Sequence, residues 1–63
     1  MLHIQIGDLV RFTASVYNNL GIGLVIREHE IVDRDGTQHR GYYCVLTQRG
    51  QKVISQVFME KLS

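Results

Sequence analysis

Residues 21–26 read Gly-Ile-Gly-Leu-Val-Ile, and residues 7–12 read Gly-Asp-Leu-Val-Arg-Phe. Each stretch predicts a turn that leads into a β-strand, because strand-forming side chains follow turn residues. Gly21 and Gly23 stand where a strand would otherwise carry side chains, and such glycines permit a sharp bend or the close approach of another backbone. In a chain of 63 residues, this pattern predicts a small, strongly coiled β-barrel.

The length of the chain limits its core. Residues 1–63 form a single domain, which buries only about 60% of the surface of the unfolded chain. Cys44 is the single cysteine, so an internal disulfide is excluded. The formal charge of +1 neither requires nor excludes nucleic acid. The sequence has no apolar run of membrane-spanning length and no signal-peptide pattern, so we expect no membrane partner and a cytoplasmic or virion-associated protein.

Alternation of apolar and polar residues predicts the strands of the barrel. A first strand covers residues 2–6, bends at Gly7-Asp8 and continues through residues 9–13. Residues 14–20 are predicted as a loop that turns at Asn18-Asn19. The longest strand follows from residue 22. The core is predicted to contain one face of each strand, namely Val10, Phe12, Ile22, Leu24 and Ile26.

The second half of the chain predicts a hairpin and two short strands. Asp35-Gly36 is a strong hairpin signal, and the return strand, residues 39–48, is apolar on both faces. Its inward side is ambiguous; we favour Cys44 and Leu46. After a turn at Arg49-Gly50 come a strand over residues 51–55, a helical turn over residues 56–58 capped by Ser55, and a closing strand over residues 60–62.

Together these elements predict an all-β fold, a single small five-stranded barrel of the SH3-like or Tudor-like type. The hairpin is too long to lie wholly within so small a barrel. Its outer part, around residues 28–40, is therefore predicted to protrude.

No group of residues in the sequence predicts catalysis. Cys44 lies among large apolar residues with no base nearby in sequence, so we interpret it as an inert core residue. His29 and His39 lie on opposite arms of the hairpin with several carboxylates, but convergent metal ligands are not indicated. Gly21 and Gly23 lack the third glycine and helix of a phosphate-binding loop. We therefore expect a protein that is not an enzyme, with no metal, cofactor or small-molecule substrate.

Binding is the better hypothesis, and two kinds of partner fit. The exposed backbone of a protruding hairpin accepts another strand, which favours a protein partner or self-association. The residues predicted to contact a protein are Arg27, His29, Ile31, Val32, Arg34 and Arg40. The alternative is nucleic acid, bound by a basic and aromatic face that consists of Arg40, Tyr42, Arg49 and Lys52.

The sequence resembles the RNA-polymerase-interacting, Tudor-like domain of CarD-type transcription regulators and of the transcription-repair coupling factor. The similar motifs are Gly-Asp-x-Val at residues 7–10, Gly-x-Gly at residues 21–23, a charged hairpin, and Tyr-x-Val-Leu at residues 43–46. The resemblance implies docking of a strand edge on RNA polymerase. Ser55 stands where that family usually has proline, and the loop over residues 13–20 is longer.

The sequence also resembles small SH3-like proteins of tailed phages. The similar segments are Ile-Gly-Asp-Leu-Val-x-Phe at residues 6–12, Gly-x-Gly-x-Val at residues 21–25, and Leu62 near the last strand. This resemblance implies a non-enzymatic module that is an accessory or structural component of a larger assembly, such as a phage virion.

Overall fold

A computed structural model describes residues 4–62 as one five-stranded antiparallel sheet. In chain order the elements are β1 (Leu9–Phe12), a first 3₁₀ helix (Ser15–Leu20), β2 (Ile22–Val32), β3 (Gln38–Thr47), β4 (Gly50–Ser55), a second 3₁₀ helix (Gln56–Phe58) and β5 (Met59–Lys61). The prediction of an all-β fold is confirmed.

The sheet is coiled but open. Its strand order is β4-β3-β2-β1-β5, which puts β4 and β5 at opposite edges. Only residues 56–58 connect these two strands, and an extended link of this length spans at most about 14 Å. The two edges must therefore approach each other, which requires strong coiling. Among residues 4–62, however, no ladder of hydrogen bonds joins β4 to β5, so the sheet is not closed into a barrel.

The core lies on the inner face of this coiled sheet. Phe12, Tyr17 and Tyr43 are partly buried and pack against it. Full burial of one large aliphatic side chain contributes about 1.5–3 kcal/mol, which is a large share of the stability of so small a domain. The buried members of the core are Ile4, Val10, Leu20, Val25, Val45, Ile54 and Met59.

The predicted core is correct for Val10 and wrong for one face of β2. Ile22 and Leu24 are exposed, and Ile26 is only partly buried. Phe12 is also only partly buried, although it contacts the core. The inward positions of β2 are instead the alternate residues Gly23 and Val25.

The pairing of β2 with β1 explains this difference. Val10 lies opposite Gly23, and Leu9 lies opposite Leu24. Directly paired residues of neighbouring strands share one face of a sheet. The burial of Val10 therefore brings Gly23 to the inner face and leaves Leu24 on the outer face.

Gly23 is the point of closest packing in the sheet. A Cβ atom at this position would overlap Val45 Cγ1 and lie 2.9 Å from Phe12 Cζ. The glycine therefore makes room for core side chains. The sequence pattern predicts either a sharp bend or the close approach of another backbone at this position.

The interpretation of β3 is also corrected. Leu46 pairs with the exposed Leu24 and is itself exposed, whereas Val45 pairs with Val25 and is fully buried. Cys44 is buried, as expected, but it does not belong to the core cluster. The pairing of Val45 with the buried Val25 therefore places the Val45 side of β3 inward.

Two segments differ from their predicted conformation. Residues 4–8 form a turn instead of a strand; the Gln5 N–H donates to Asp8 Oδ2 at 2.8 Å, and the Asp8 N–H donates to Gln5 O at 3.1 Å. The first two residues of that predicted strand lie outside the described residues. The predicted loop after β1 contains a 3₁₀ helix, whose Leu20 is buried.

The predicted helical turn over residues 56–58 and the position of the last strand beside the first are confirmed. The last strand, however, is Met59–Lys61 instead of residues 60–62, and it does not close the sheet into a barrel. Ser55 Oγ accepts a hydrogen bond from the Val57 N–H at 3.4 Å and caps the second 3₁₀ helix. The last strand pairs with β1, as shown by the partners Arg11 and Glu60. Their side chains form an ion pair with an N–O distance of 2.9 Å.

Candidate functional site

The hairpin of β2 and β3 extends past its neighbouring strands. Pairing of β1 with β2 covers residues 22–24, and Val25 bonds to Gly7 and Asp8. Beyond it, residues 26–32 have β3 on one side and no strand on the other among the residues described. We call these residues the free edge. On the opposite side of the hairpin, β4 pairs only with residues 42–47 of β3.

The hydrogen bonds at the hairpin tip determine which amides of the free edge point outward. Asp33 donates its N–H to Thr37 O at 2.9 Å, so its backbone faces the other arm. The backbone groups of successive residues in a strand point to alternate sides. The N–H groups on the free side therefore belong to Val32, Glu30 and Glu28, and they are available to another strand.

The tip itself is a compact turn. Gly36 has φ 86°, a conformation that favours glycine, and donates its N–H to Asp33 O at 3.0 Å. The Thr37 N–H donates to Asp35 Oδ1 at 3.0 Å, and this hydrogen bond lowers the pKa of the Asp35 carboxyl. His39 Nε2 lies 2.6 Å from Asp33 Oδ2. These contacts order the loop that holds the two arms together.

The predicted protein-contact residues all lie on this hairpin. Arg27, His29, Ile31 and Val32 lie along the free edge, Arg34 lies in the tip, and Arg40 lies on β3. Ile31 and His29 are partly buried, and the other four are exposed. The structure therefore places them along one element, although not on a single face.

A shallow pocket of about 180 Å³ lies on the hairpin and is lined by Glu28, His29, Glu30 and Arg40. Residues 27–40 contain three arginines and four carboxylates. The surface around the free edge thus carries both signs of charge, a pattern that suits a polar protein partner better than a phosphate backbone.

The predicted nucleic-acid face is divided by the structure. Arg49 and Lys52 line a second, open pocket of about 360 Å³ with Tyr17 and Val16 of the first 3₁₀ helix. Arg40 instead lines the hairpin pocket. Tyr42 pairs with His29 and is partly buried.

Arg40 is distant from Lys52 because Lys52 pairs with Val45, five residues further along β3. A bulge separates Arg40 from Tyr42. The register between β2 and β3 shifts between His29 and Ile31, and Gly41 on β3 has φ 86°. The extra residue interrupts the alternation that would otherwise put Arg40 and Tyr42 on the same face. Tyr17 was not among the predicted site residues, because no residue pattern indicates that its loop folds against the turn before β4.

The thiol of Cys44 lies beside an amide oxygen. Cys44 is buried, and its Sγ lies 3.6 Å from Gln51 Oε1. Within residues 4–62, no three His, Cys, Asp or Glu side chains converge to hold a metal ion. No helix in the same range has the length and apolar character needed to cross a membrane.

Comparison with known proteins found no matching family model, no similar curated protein and no similar solved structure. The functional argument therefore depends on the geometry of the chain.

Proposed function

We propose that this chain is a non-catalytic protein-interaction module with an SH3-like architecture, and that it binds another protein through the hairpin. The observation that carries the proposal is the free edge of β2, seven residues that have no neighbouring strand on one side within residues 4–62. An unpaired edge accepts a strand from a partner, and main-chain hydrogen bonds supply the affinity. In this role the protein is an accessory or structural component of a larger assembly, such as a phage virion, or acts in the cytoplasm.

The side chains of the free edge support a protein partner. Charged residues of both signs precede the adjacent apolar residues Ile31 and Val32 along the edge, so a partner strand meets apolar contacts as well as ion pairs. Charges on an edge also prevent indiscriminate pairing between copies. The edge is therefore suited to selective addition of one strand.

The proposal is tested with random peptides of about 12 residues, long enough to cover the edge. Peptides are selected on the immobilised protein, and their Kd values are measured by fluorescence anisotropy. We expect the Glu30→Pro variant to bind the selected peptides about tenfold more weakly, because it loses one outward N–H and hence one main-chain hydrogen bond. Proline is tolerated on an edge strand when its missing N–H faces solvent.

Glu30→Ala is the matched control. It removes the same side chain but keeps the N–H, so its Kd should stay close to that of the Glu30 protein. Circular dichroism verifies that both variants fold. If no peptide is enriched over a selection on Glu30→Pro, or if the two variants bind equally, the free edge is not the docking site.

A second candidate is a transcription-associated module that docks on RNA polymerase or nucleic acid. The observation that favours it is the pocket in which Tyr17, Arg49 and Lys52 meet. An aromatic ring beside two cations is the arrangement used to stack a base and neutralise its phosphates. The carboxylates near the hairpin and the low net charge of the chain weaken this candidate.

An oligothymidylate titration tests the nucleic-acid candidate. It predicts that binding weakens as salt rises, and that Lys52→Gln lowers the slope of log K against log salt by about one. Arg34→Gln, at the hairpin tip, is the control and should leave the slope unchanged. Absence of binding at low salt, or equal slopes for both variants, would exclude a nucleic-acid role for this pocket.

A further inference from the structure

A row of exposed leucines crosses the outer face of the sheet. Leu9 of β1 lies opposite Leu24 of β2, which lies opposite Leu46 of β3. Their relative exposures are 47%, 37% and 44%. Leu62 extends the row beyond β1, since its N–H donates to Leu9 O at 3.0 Å and it is also exposed. Because paired residues share a face, these side chains form a continuous apolar strip, which we call the leucine row.

Two further apolar side chains border the row. Ile22 lies two residues from Leu24 on the same face of β2 and is exposed. Val53 of β4 is exposed as well. It pairs with Cys44, which lies two residues from Leu46 on β3, so Val53 shares the face of the row. Together the six residues form an exposed apolar patch on one face of the sheet. The largest apolar patches on monomeric proteins, about 300–600 Å², often mark an interface.

The sequence itself indicates that this face is covered. Strands that are apolar on both faces are typical of sheets buried on both sides. In β2 and β3, the inner side carries Val25 and Val45, and the outer side carries Leu24 and Leu46. Within the part of the chain that the structure describes, only the inner side of these strands packs into the core, so the hydrophobic pattern of both strands exceeds what the core of one copy requires.

We propose that the leucine row is a homodimer interface, covered by the same row of a second copy. A two-fold axis through Leu24 places Leu24 against Leu24 and Leu9 of one copy against Leu46 of the other, so the row is complementary to itself. Two charged positions share this face: Arg11 is already paired with Glu60 in the same chain at 2.9 Å, and the exposed Arg27, which lies opposite Cys44, belongs to the polar rim of the proposed interface. The polar surround supplies the rest of the roughly 800 Å² that each partner of a stable interface buries.

Sedimentation velocity combined with light scattering tests the interface. The protein is expected to have twice its chain mass of 7.2 kDa at high micromolar concentration, and Leu24→Glu is expected to weaken dimerisation about thirtyfold or more, as for a central interface residue. Val57→Glu is the control, because Val57 is exposed in the second 3₁₀ helix, outside the row. A monomeric protein, or equal dimerisation of the two variants, overturns the proposal.

Introducing opposite charges at two positions tests the two-fold arrangement, because the result is a comparison of two single variants with their combination. Leu9→Lys and Leu46→Glu, made separately, should each weaken the dimer, because like charges or unpaired charges are then buried. Combined in one chain, they should restore dimerisation at least tenfold relative to either alone, since each lysine meets a glutamate of the other copy. Failure of the double variant to recover, while circular dichroism shows a folded sheet, overturns the arrangement. The row lies on the sheet face and not on the free edge, so this result is independent of peptide binding by the hairpin.

Discussion

Replacing Gly23 with valine is expected to leave the chain without a cooperative folded state at room temperature. A Cβ at this buried position would overlap Val45 Cγ1 and lie 2.9 Å from Phe12 Cζ, and valine adds two more methyl groups. Overpacking of a core costs about 1–3 kcal/mol, and more where the backbone has to move. A chain of this length has a total stability of only about 3–9 kcal/mol. Thermal unfolding followed by circular dichroism measures the effect.

The matched control for this prediction is a double variant. Gly23→Ala alone should lower the stability less than valine does. Adding Val45→Ala removes the methyl group that overlaps the new Cβ, so the two changes together should cost less than the sum of their separate effects, by about 0.5–3 kcal/mol. A Gly23→Val protein that melts at the temperature of the parent would show that the sheet does not pack tightly at this position.

Replacing Val25 with alanine is expected to lower the free energy of unfolding by about 2–3 kcal/mol, because two buried methyl groups are lost and a cavity remains. Val25 is 1% exposed and lies opposite the fully buried Val45. Chemical denaturation with urea measures the change. For so small a domain, this is a large part of the total stability.

Val32→Ala provides the same chemical change at the other end of the same strand. Val32 is 57% exposed in the protruding part of the hairpin, so its loss should cost less than about 0.5 kcal/mol. The pair of variants separates the loss of a buried valine from the loss of an exposed valine on the same strand. Equal costs at the two positions, or a larger cost at Val32, would contradict the burial of Val25 in the core.

Local turn chemistry allowed several elements to be predicted from the sequence. Asp35-Gly36 predicts the hairpin because glycine accepts the positive φ that the turn requires, and Gly36 has φ 86°. Ser55 predicts the short helical turn because its hydroxyl accepts a free N–H, which Val57 supplies. Such signals depend on one residue and its nearest neighbours, so they can be interpreted without knowledge of the tertiary fold.

The inward face of β2 could not be predicted in this way. Ile22 and Leu24 are larger than Gly23 and Val25, so alternation alone favours the wrong face. The register that pairs Gly23 with Val10 of β1 determines which face of β2 is buried, and this register is a long-range property of the fold. An informative signal was nevertheless present, since a strand that is apolar on both faces is expected to be covered on both.

The candidate site was predicted in part. The length of the hairpin indicated an element that extends past its neighbours, and residues 26–32 do lack a second neighbouring strand among the residues described. The exposed leucines were not recognised as a surface, because Leu24 had been assigned to the core and Leu46 was favoured for it. The bulge at Gly41 also lies beyond sequence reasoning, and it separates Arg40 from Tyr42.

The central claim is that the free edge of β2 binds a partner strand through its outward amides. Its most direct test is the ratio of the peptide dissociation constants of Glu30→Pro and Glu30→Ala, two folded variants that differ in a single edge N–H. We expect a ratio of about ten, at the upper end of the effect of one main-chain hydrogen bond. A ratio near one would contradict it.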